Sequence, residues 1–346
     1  MLRCPSVRAD AERFYRAGNM KKMRTPGISF VIAILLMSLA AMAGSQEYPS
    51  RLIRFIVPFP AAGASDIYAR LFARELQAAW GQSVIVENRP GATGLIATEL
   101  AKRAAPDGYT LLFTSNSAHV LGPLPRDPRP FDAAADFTPI TKILRYPLYL
   151  VIHPSIPARS LKEFIAFGKS RPGQLIFASS GQAGGSHVVA ELFNEVAGIK
   201  AIHAPYKGTT PAIQGLMSGE SHYIFNNIGV SQPHVVSGRL KGLAVTGEKR
   251  SPVLPEMPTM AEMGIGGLED ANTWIGLLAP VSLPPAIGAK LVAEITRITR
   301  APEMEKRILS DGYVLVANTP AQFKSEIQAE VATMTKVFRA RGIKAE

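Results

Sequence analysis

Cysteine is all but missing from this chain: Cys4 is the one among 346 residues. From residue 5 onward the sequence can carry no disulfide framework, no thiolate metal site and no thiol nucleophile. Blocks of like charge are missing as well. The 38 Lys and Arg against 27 Asp and Glu are spread along the chain and are not interleaved with aromatics. That pattern reads as solvated surface with a mild attraction for anions and argues against a nucleic-acid binder. The six histidines, His119, His153, His187, His203, His222 and His234, include no i, i+4 pair. With no nearby carboxylate cluster they give no support to a metal site. Neither a P-loop nor a G-x-G-x-x-G pattern is present, so no nucleotide or other cofactor is expected.

Long apolar runs are scarce. One spans Ile28 to Ala43, preceded by Lys21, Lys22 and Arg24 and closed by the small-x-small triplet Ala41-Met42-Ala43. It falls short of the roughly 20 residues a spanning helix needs and reads as a cleavable secretory signal peptide. No cysteine follows it to take a lipid. Residues 1–19 are charged without periodicity, and Met20 and Met23 are alternative starts. Removing residues 1–43 takes away seven basic and two acidic residues and lowers the formal charge from +11 to +6. The 303 residues that remain suggest two domains by length.

Short β-branched or apolar runs alternate with helical periodicity over the rest of the chain. Leu52–Val57, Ser83–Glu87, Thr110–Thr114, Leu148–Ile152, Leu175–Ser179, Tyr223–Phe225 and Leu240–Thr246 are predicted strands. Helix starts are predicted at Ser160 with Glu163, at Thr319 with Gln322, and at Pro211 after Thr210. The rhythm is that of an α/β fold with parallel or mixed sheets. Pro285 to Arg300 and Pro320 to Arg341 are predicted helices that pack back on the first domain.

Two loops stand out chemically. In IVPFPAAGASD, Ile56 to Asp66, prolines stop a buried strand, small residues leave the backbone uncovered, and Ser65 and Asp66 occupy the predicted N-cap of an amphipathic helix. The free N–H groups and dipole of such a helix favour an anion. ASSGQAGGSHVVAELF, Ala178 to Phe193, repeats the arrangement. A hydrolase is disfavoured: Val188 stands where G-x-S-x-G requires glycine, and adjacent Ser186 and His187 would not face each other on a helix. Arg89 is read as an ion-pair partner of Glu87 or of a neighbouring turn; Gly91–Gly94 has the small residues of a phosphate nest but lacks the P-loop or G-x-G-x-x-G pattern that would indicate a nucleotide site.

Taken in order, VPFPAAGASD (57–66), ENRPGATG (87–94), PDGYTLL (106–112), ASSGQAGGSH (178–187), HAPYKGTTPAIQGLMSG (203–219), LAVTGEKRSPVLPEMPTMAEMG (243–264) and WIGLLAP (274–280) resemble the Bug, or TctC-like, family. These are the periplasmic substrate-binding proteins of tripartite tricarboxylate transport systems. The match covers nearly all of residues 48 to 344.

The resemblance implies a two-lobed periplasmic binding protein of type II, a Venus flytrap with two crossover strands near Leu148–Ile152 and Trp274–Ala279. The lobes would be residues 44–147 plus 272–346, and 148–271. It implies a monomeric receptor, not an enzyme, that holds a small carboxylate and delivers it to membrane permease subunits. The expected ligand residues are Pro60, Ala61, Ala62, Ser65 and Asp66 in the first loop, Ser115 and Ser117 beside it, Ser180 and Gly181 from the second lobe, and Tyr206 and Asn226 near the cleft. Three departures from the family pattern stand out: Ala62 in place of a glycine, Gly184 and Gly185 in place of serines, and the run Leu124–Ala134. Docking on a signalling partner, and a secreted serine hydrolase using Ser186 or Ser180, are the alternatives.

Overall fold

The strand predictions converge on one mixed sheet. A computed structural model describes residues 48–268 and 271–343; the segment read as a signal peptide lies outside them. The strands are β1 (Ile53–Val57), β2 (Val84–Asn88), β3 (Thr110–Ser115), β4 (Phe137–Ile152), β5 (Leu175–Ser179), β6 (Ala201–Pro205), β7 (Tyr223–Asn227), β8 (Lys241–Val245), β9 (Asn272–Pro280) and β10 (Val314–Leu315). Their spatial order is β2-β1-β3-β9-β4-β7-β5-β6, with β8 and β10 both pairing β4.

The sheet has two halves with the same internal logic. β1 lies parallel between β2 and β3 in one, and β5 lies parallel between β6 and β7 in the other. The 16-residue β4 joins them. Its first part pairs antiparallel with β9 as far as Pro147, opposite Asn272, and its last five residues pair with β7. The chain returns to the first half at Asn272, where β9 begins and runs antiparallel to both β3 and β4.

Helices cover the sheet because their apolar faces require it. α1 (Ala64–Trp80) buries Tyr68, Phe72 and Leu76 and stops at Gly81, whose φ of 65° provides the left-handed C-cap. Further along the chain are α2 (Leu95–Lys102), α3 (Leu161–Lys169), α4 (Gly185–Ala197), α5 (Thr209–Met217), α6 (Ile228–Val236), α7 (Pro285–Thr299), α8 (Pro302–Ser310) and α9 (Pro320–Arg341). The predicted capping box at Thr319 and Gln322 is present in full. At Ser160 the side chain does accept the Glu163 N–H, but Glu163 reaches back to the N–H of Arg159 rather than to Ser160.

Two predicted helix starts shift. α1 begins at Ala64 with Gly63 as N-cap, so Ser65 and Asp66 lie inside its first turn. Ala62 adopts a φ of 65°, which turns the chain into the helix early. α5 begins at Thr209 after Gly208, whose φ of 124° does the same, leaving Pro211 at the third helical position. Among the described residues no helix is long and apolar enough to cross a membrane.

Candidate functional site

Both half-sheets end their parallel strands toward one crevice, where ligands of open α/β sheets are held. The loop after β1 contributes Phe59, Pro60 and Gly63, the end of β3 contributes Ser115 and Ser117, the loop after β5 contributes Ser180, and the end of β7 contributes Asn226 and Asn227. They enclose an inner cavity with a free volume of about 40 Å³. The first turns of α1, α4 and α5 reach it through Ala64 and Ser65, Ser186, and Thr209 and Thr210, and Asn227 is the N-cap of α6. Four positive helix ends therefore meet at one place.

Among the described residues no Asp, Glu, Lys or Arg lines this cavity. Its polarity comes from hydroxyls, amides and helix ends. In α1 the N–H groups of the first turn have no carbonyl one turn back to receive them. Asn226 is the sharpest feature: its Oδ1 accepts the N–H of Asn227 at 2.8 Å, while its buried Nδ2 has no hydrogen-bond partner among the described residues. A buried amide donor without an acceptor costs free energy until one arrives.

The wall is held rigidly from behind. Asn116, between Ser115 and Ser117, donates to Glu330 Oε1 at 2.8 Å and to the Asn272 carbonyl at 3.2 Å. Trp274 Nε1 donates to the other oxygen of Glu330 at 2.7 Å. Burial raises the Glu330 carboxyl above its ordinary range, against the pull of those two donors. Tyr146 stacks on Tyr313 with centroids 4.6 Å apart, and the Tyr313 hydroxyl donates to Asn227 Oδ1 at 3.1 Å. Ser180 and Ser186 join through Ser180 N–H to Ser186 Oγ at 2.8 Å.

The expected residues divide. Pro60, Ser65, Ser115, Ser117, Ser180 and Asn226 line the inner cavity. Gly181 and Tyr206 line an adjoining outer chamber. Ala61 and Ala62 face solvent, and the Ala62 N–H is taken by Asp66 Oδ2 at 3.0 Å, so it is not offered to the cavity. Asp66 lies behind the loop, receiving Asn88 Nδ2 at 2.9 Å and Arg70 Nε at 3.1 Å. Burial would raise its pKa, but the bonds from Arg70, Ala62 and Asn88 outweigh burial and hold it below the ordinary carboxylate value. The carboxylate shapes the loop instead of facing the cavity. Arg89 pairs with Glu87 at 3.2 Å, as a structural ion pair should.

Sequence reasoning missed Phe59, Gly63, Tyr146, Thr209, Thr210, Asn227 and Thr273. Phe59 and Gly63 lie within the singled-out loop Ile56–Asp66, and Thr209 and Thr210 carried a local signal as small hydroxyl residues next to a glycine at a helix start.

The hydrolase alternative finds no geometry. Ser186 Oγ bonds Ser180, and His187 Nδ1 accepts the N–H of Ala183 at 2.9 Å. A Ser–His contact exists between Ser179 and His203 at 2.6 Å, but Ser179 is fully buried and its hydroxyl closes a turn onto the Gly181 carbonyl. His187 and His203 stack face to face at 3.8 Å. Among the described residues no group of three potential metal ligands occurs.

Comparison with known proteins settles the class. Residues 68–343 match the model of the tripartite tricarboxylate transporter family receptor. The chain belongs to that family. Its members are solute-binding receptors, not enzymes. BugT of Bordetella pertussis is 35% identical over 314 residues, covering 90% of this chain and 96% of that protein. A Rhodopseudomonas palustris protein solved with adipate is similar with a TM-score of 0.83 and 31% identity, over 86% of this chain and 99% of the other. The periplasmic binding protein BugD is similar with a TM-score of 0.81 and 29% identity, over 86% of this chain and 100% of the other. The fold is accordingly the mixed α/β fold of periplasmic binding proteins.

Proposed function

We propose that this chain is a periplasmic receptor that closes on a small carboxylate and delivers it to the membrane subunits of a tripartite transporter. The observation that carries the reading is the inner cavity: helix N-termini converge on a space that no charged side chain among the described residues lines, and Asn226, whose buried Nδ2 has no partner among them, forms part of its wall. A carboxylate placed there would be held by dipoles and neutral donors, which stabilise an anion without the desolvation cost of a buried counter-ion. The adipate in the related R. palustris structure supports the same class of solute.

In this reading residues 44–147 with 272–346 form one lobe, 148–271 form the other, and the segment 1–43 is removed on export. The receptor acts as a monomer. Ligand contacts both lobes at once only in the closed form, so binding shifts the hinge equilibrium toward closure. Pro60, Ser65, Ser115, Ser117, Ser180 and Asn226 are the direct contacts, with Asn227, Thr209, Thr210 and Thr273 added to them. Asp66 supports the loop from behind.

The test is a thermal-shift panel of mono-, di- and tricarboxylates, aromatic acids and acidic amino acids against the chain from Gly44 onward, followed by calorimetry. A carboxylate should raise the melting temperature by mass-action linkage and bind without turnover. If the panel gives no shift and mass spectrometry of the denatured protein finds no co-purified acid, the carboxylate reading is wrong.

A further inference from the structure

A second chamber adjoins the first. It has a free volume of about 210 Å³, against about 40 Å³ for the inner cavity, and shares Phe59, Pro60 and Ser180 with it. The partition is thin and specific. A Cβ on Gly208 would come within 2.6 Å of Pro60 Cδ, so only glycine allows α5 to approach the loop after β1 this closely. On the other flank Thr93 Oγ1 donates to the Gln182 carbonyl at 2.6 Å. Both contacts join opposite halves of the sheet, so the chamber is complete only when the halves meet.

Its charge is as one-sided as the inner cavity is neutral. Arg126 enters from the first half and Lys207 from the second, and among the described residues no Asp or Glu lines the walls. Half-buried Arg126 donates Nη1 to the Gly122 carbonyl at 2.9 Å. That bond fixes the guanidinium and leaves its other N–H groups available. Among the described residues neither Arg126 nor Lys207 is in an ion pair. Two cations brought to one chamber by closure repel each other unless an anion lies between them. Arg126 also falls inside Leu124–Ala134, the stretch that departs from the family pattern.

We propose that the outer chamber binds the distal acidic group of an elongated solute whose first carboxylate occupies the inner cavity, and that Arg126 and Lys207 select for that second charge. This rests on the carboxylate-receptor reading. The inner cavity has room for little more than a head group, and Pro60 and Ser180 belong to both spaces, so a longer chain that extends past them enters the chamber lined by Arg126 and Lys207. The ligand class is a straight-chain diacid, in preference to a monoacid of the same length or to a separate inorganic anion.

The experiment measures affinities of the diacid ladder from succinate to suberate, of the matched monoacids, and of ε-aminocaproate. The proteins are wild type, Arg126→Gln, Lys207→Gln and Lys207→Glu. Each neutral substitution should weaken the best diacid by about tenfold and the matched monoacid by less than about twofold, since one charge-assisted hydrogen bond is lost. Lys207→Glu should weaken the diacid further and strengthen ε-aminocaproate, a gain that a misfolded variant could not show. Equal effects on diacid and monoacid overturn the proposal while leaving the receptor reading intact. So does sulfate that tightens monoacid binding in wild type and not in Arg126→Gln, because the chamber would then hold a separate ion. If no carboxylate binds wild type, the receptor reading itself fails and this inference falls with it.

Discussion

Ser117 Oγ accepts the backbone N–H of Gly185 at 2.9 Å, tying the turn after β3 in one half of the sheet to the first turn of α4 in the other. The bond satisfies one of the orphan donors of that helix and closes one side of the inner cavity with the same contact. A Cβ on Gly185 would lie 2.9 Å from that oxygen and 3.4 Å from Thr273 Oγ1. The missing side chain is therefore a condition of close approach between the halves, which gives the replacement of serine by glycine at this position a physical meaning.

Gly185→Ala separates closure from folding, because the two effects have opposite signs. Alanine in a helix is better than glycine by roughly 0.5–1 kcal/mol, so the ligand-free variant should melt at the same temperature or slightly higher. Crowding Ser117 in the closed form should cost about 1–2 kcal/mol, which weakens ligand binding by about tenfold. Calorimetry on a carboxylate hit, beside a melting curve without ligand, reads both. Unchanged affinity would mean that closure does not bring Ser117 to this helix.

Asp66→Asn should act on stability before affinity. The carboxylate gathers the Ala62 N–H, Asn88 and Arg70, and holds Ala62 in its left-handed turn. Losing the ionic acceptor should cost about 2 kcal/mol in urea unfolding, with binding weakened because the loop at Pro60 loses its brace. The folded pKa lies below the ordinary 3.8, so this contribution is present above that pH and is lost as pH falls through the depressed value. The wild-type and variant stability curves should thus converge in acid; curves that stay parallel to the lowest accessible pH would refute the assignment.

His119 predicts a second pH dependence, in a higher window. It is fully buried, with Nε2 on the Ala133 carbonyl at 2.8 Å and its ring against Phe137 at 4.8 Å. Burial lowers its pKa from 6.5 to about 4, against the opposing effects of the Ala133 carbonyl and Asp132. The unfolded chain takes up this proton first, so stability is intact above about pH 6.5 and declines as pH falls toward 4. At pH 5 the loss from this one ring should be about 2 kcal/mol. His119→Phe should be less stable at pH 7, because Ala133 loses its donor, but should lose about 2 kcal/mol less than wild type between pH 7 and pH 5. Equal losses would show that the ring titrates normally.

What was readable in the sequence followed how local each signal is. Phe55–Val57 and Phe177–Ser179 announce buried strands, and the small-residue loops after them lead directly to the crevice. Of β4 the pattern shows only Leu148–Ile152, since prolines such as Pro139 and Pro147 are disfavoured within strands. The structure accommodates Pro139 beside a register shift and places Pro147 where pairing passes from β9 to β7. β6 gives no strand signal because it is a five-residue edge strand with Ile202 exposed. The early start of α1 depends on a positive φ at Ala62, and alanine gives no warning of one. Tyr146 and Thr273 reach the cavity from β4 and β9 through antiparallel pairing, a tertiary relation with no local pattern.

Asn226→Asp is the most direct test of the cavity chemistry. Asn226 lines the cavity; its Oδ1 accepts the Asn227 N–H, and its buried Nδ2 has no hydrogen-bond partner among the described residues. Aspartate keeps that acceptor and nearly the same volume, so the fold should survive. It replaces the unpartnered donor with a second anionic oxygen beside a space that no Lys or Arg among the described residues lines. A bound carboxylate would then face a like charge, and affinity should fall by about a hundredfold or more near neutral pH. Acid should partly restore it, because the protonated aspartic acid again offers an O–H donor. Asn226→Leu separates the two causes: it removes the donor without adding charge, should weaken binding by about tenfold, and should show no recovery in acid. Affinities measured for wild type and both variants across pH resolve the three cases. If the aspartate variant binds the same carboxylate as well as wild type does, the anion does not lie against Asn226, and the cavity formed by the helix ends is not the binding site.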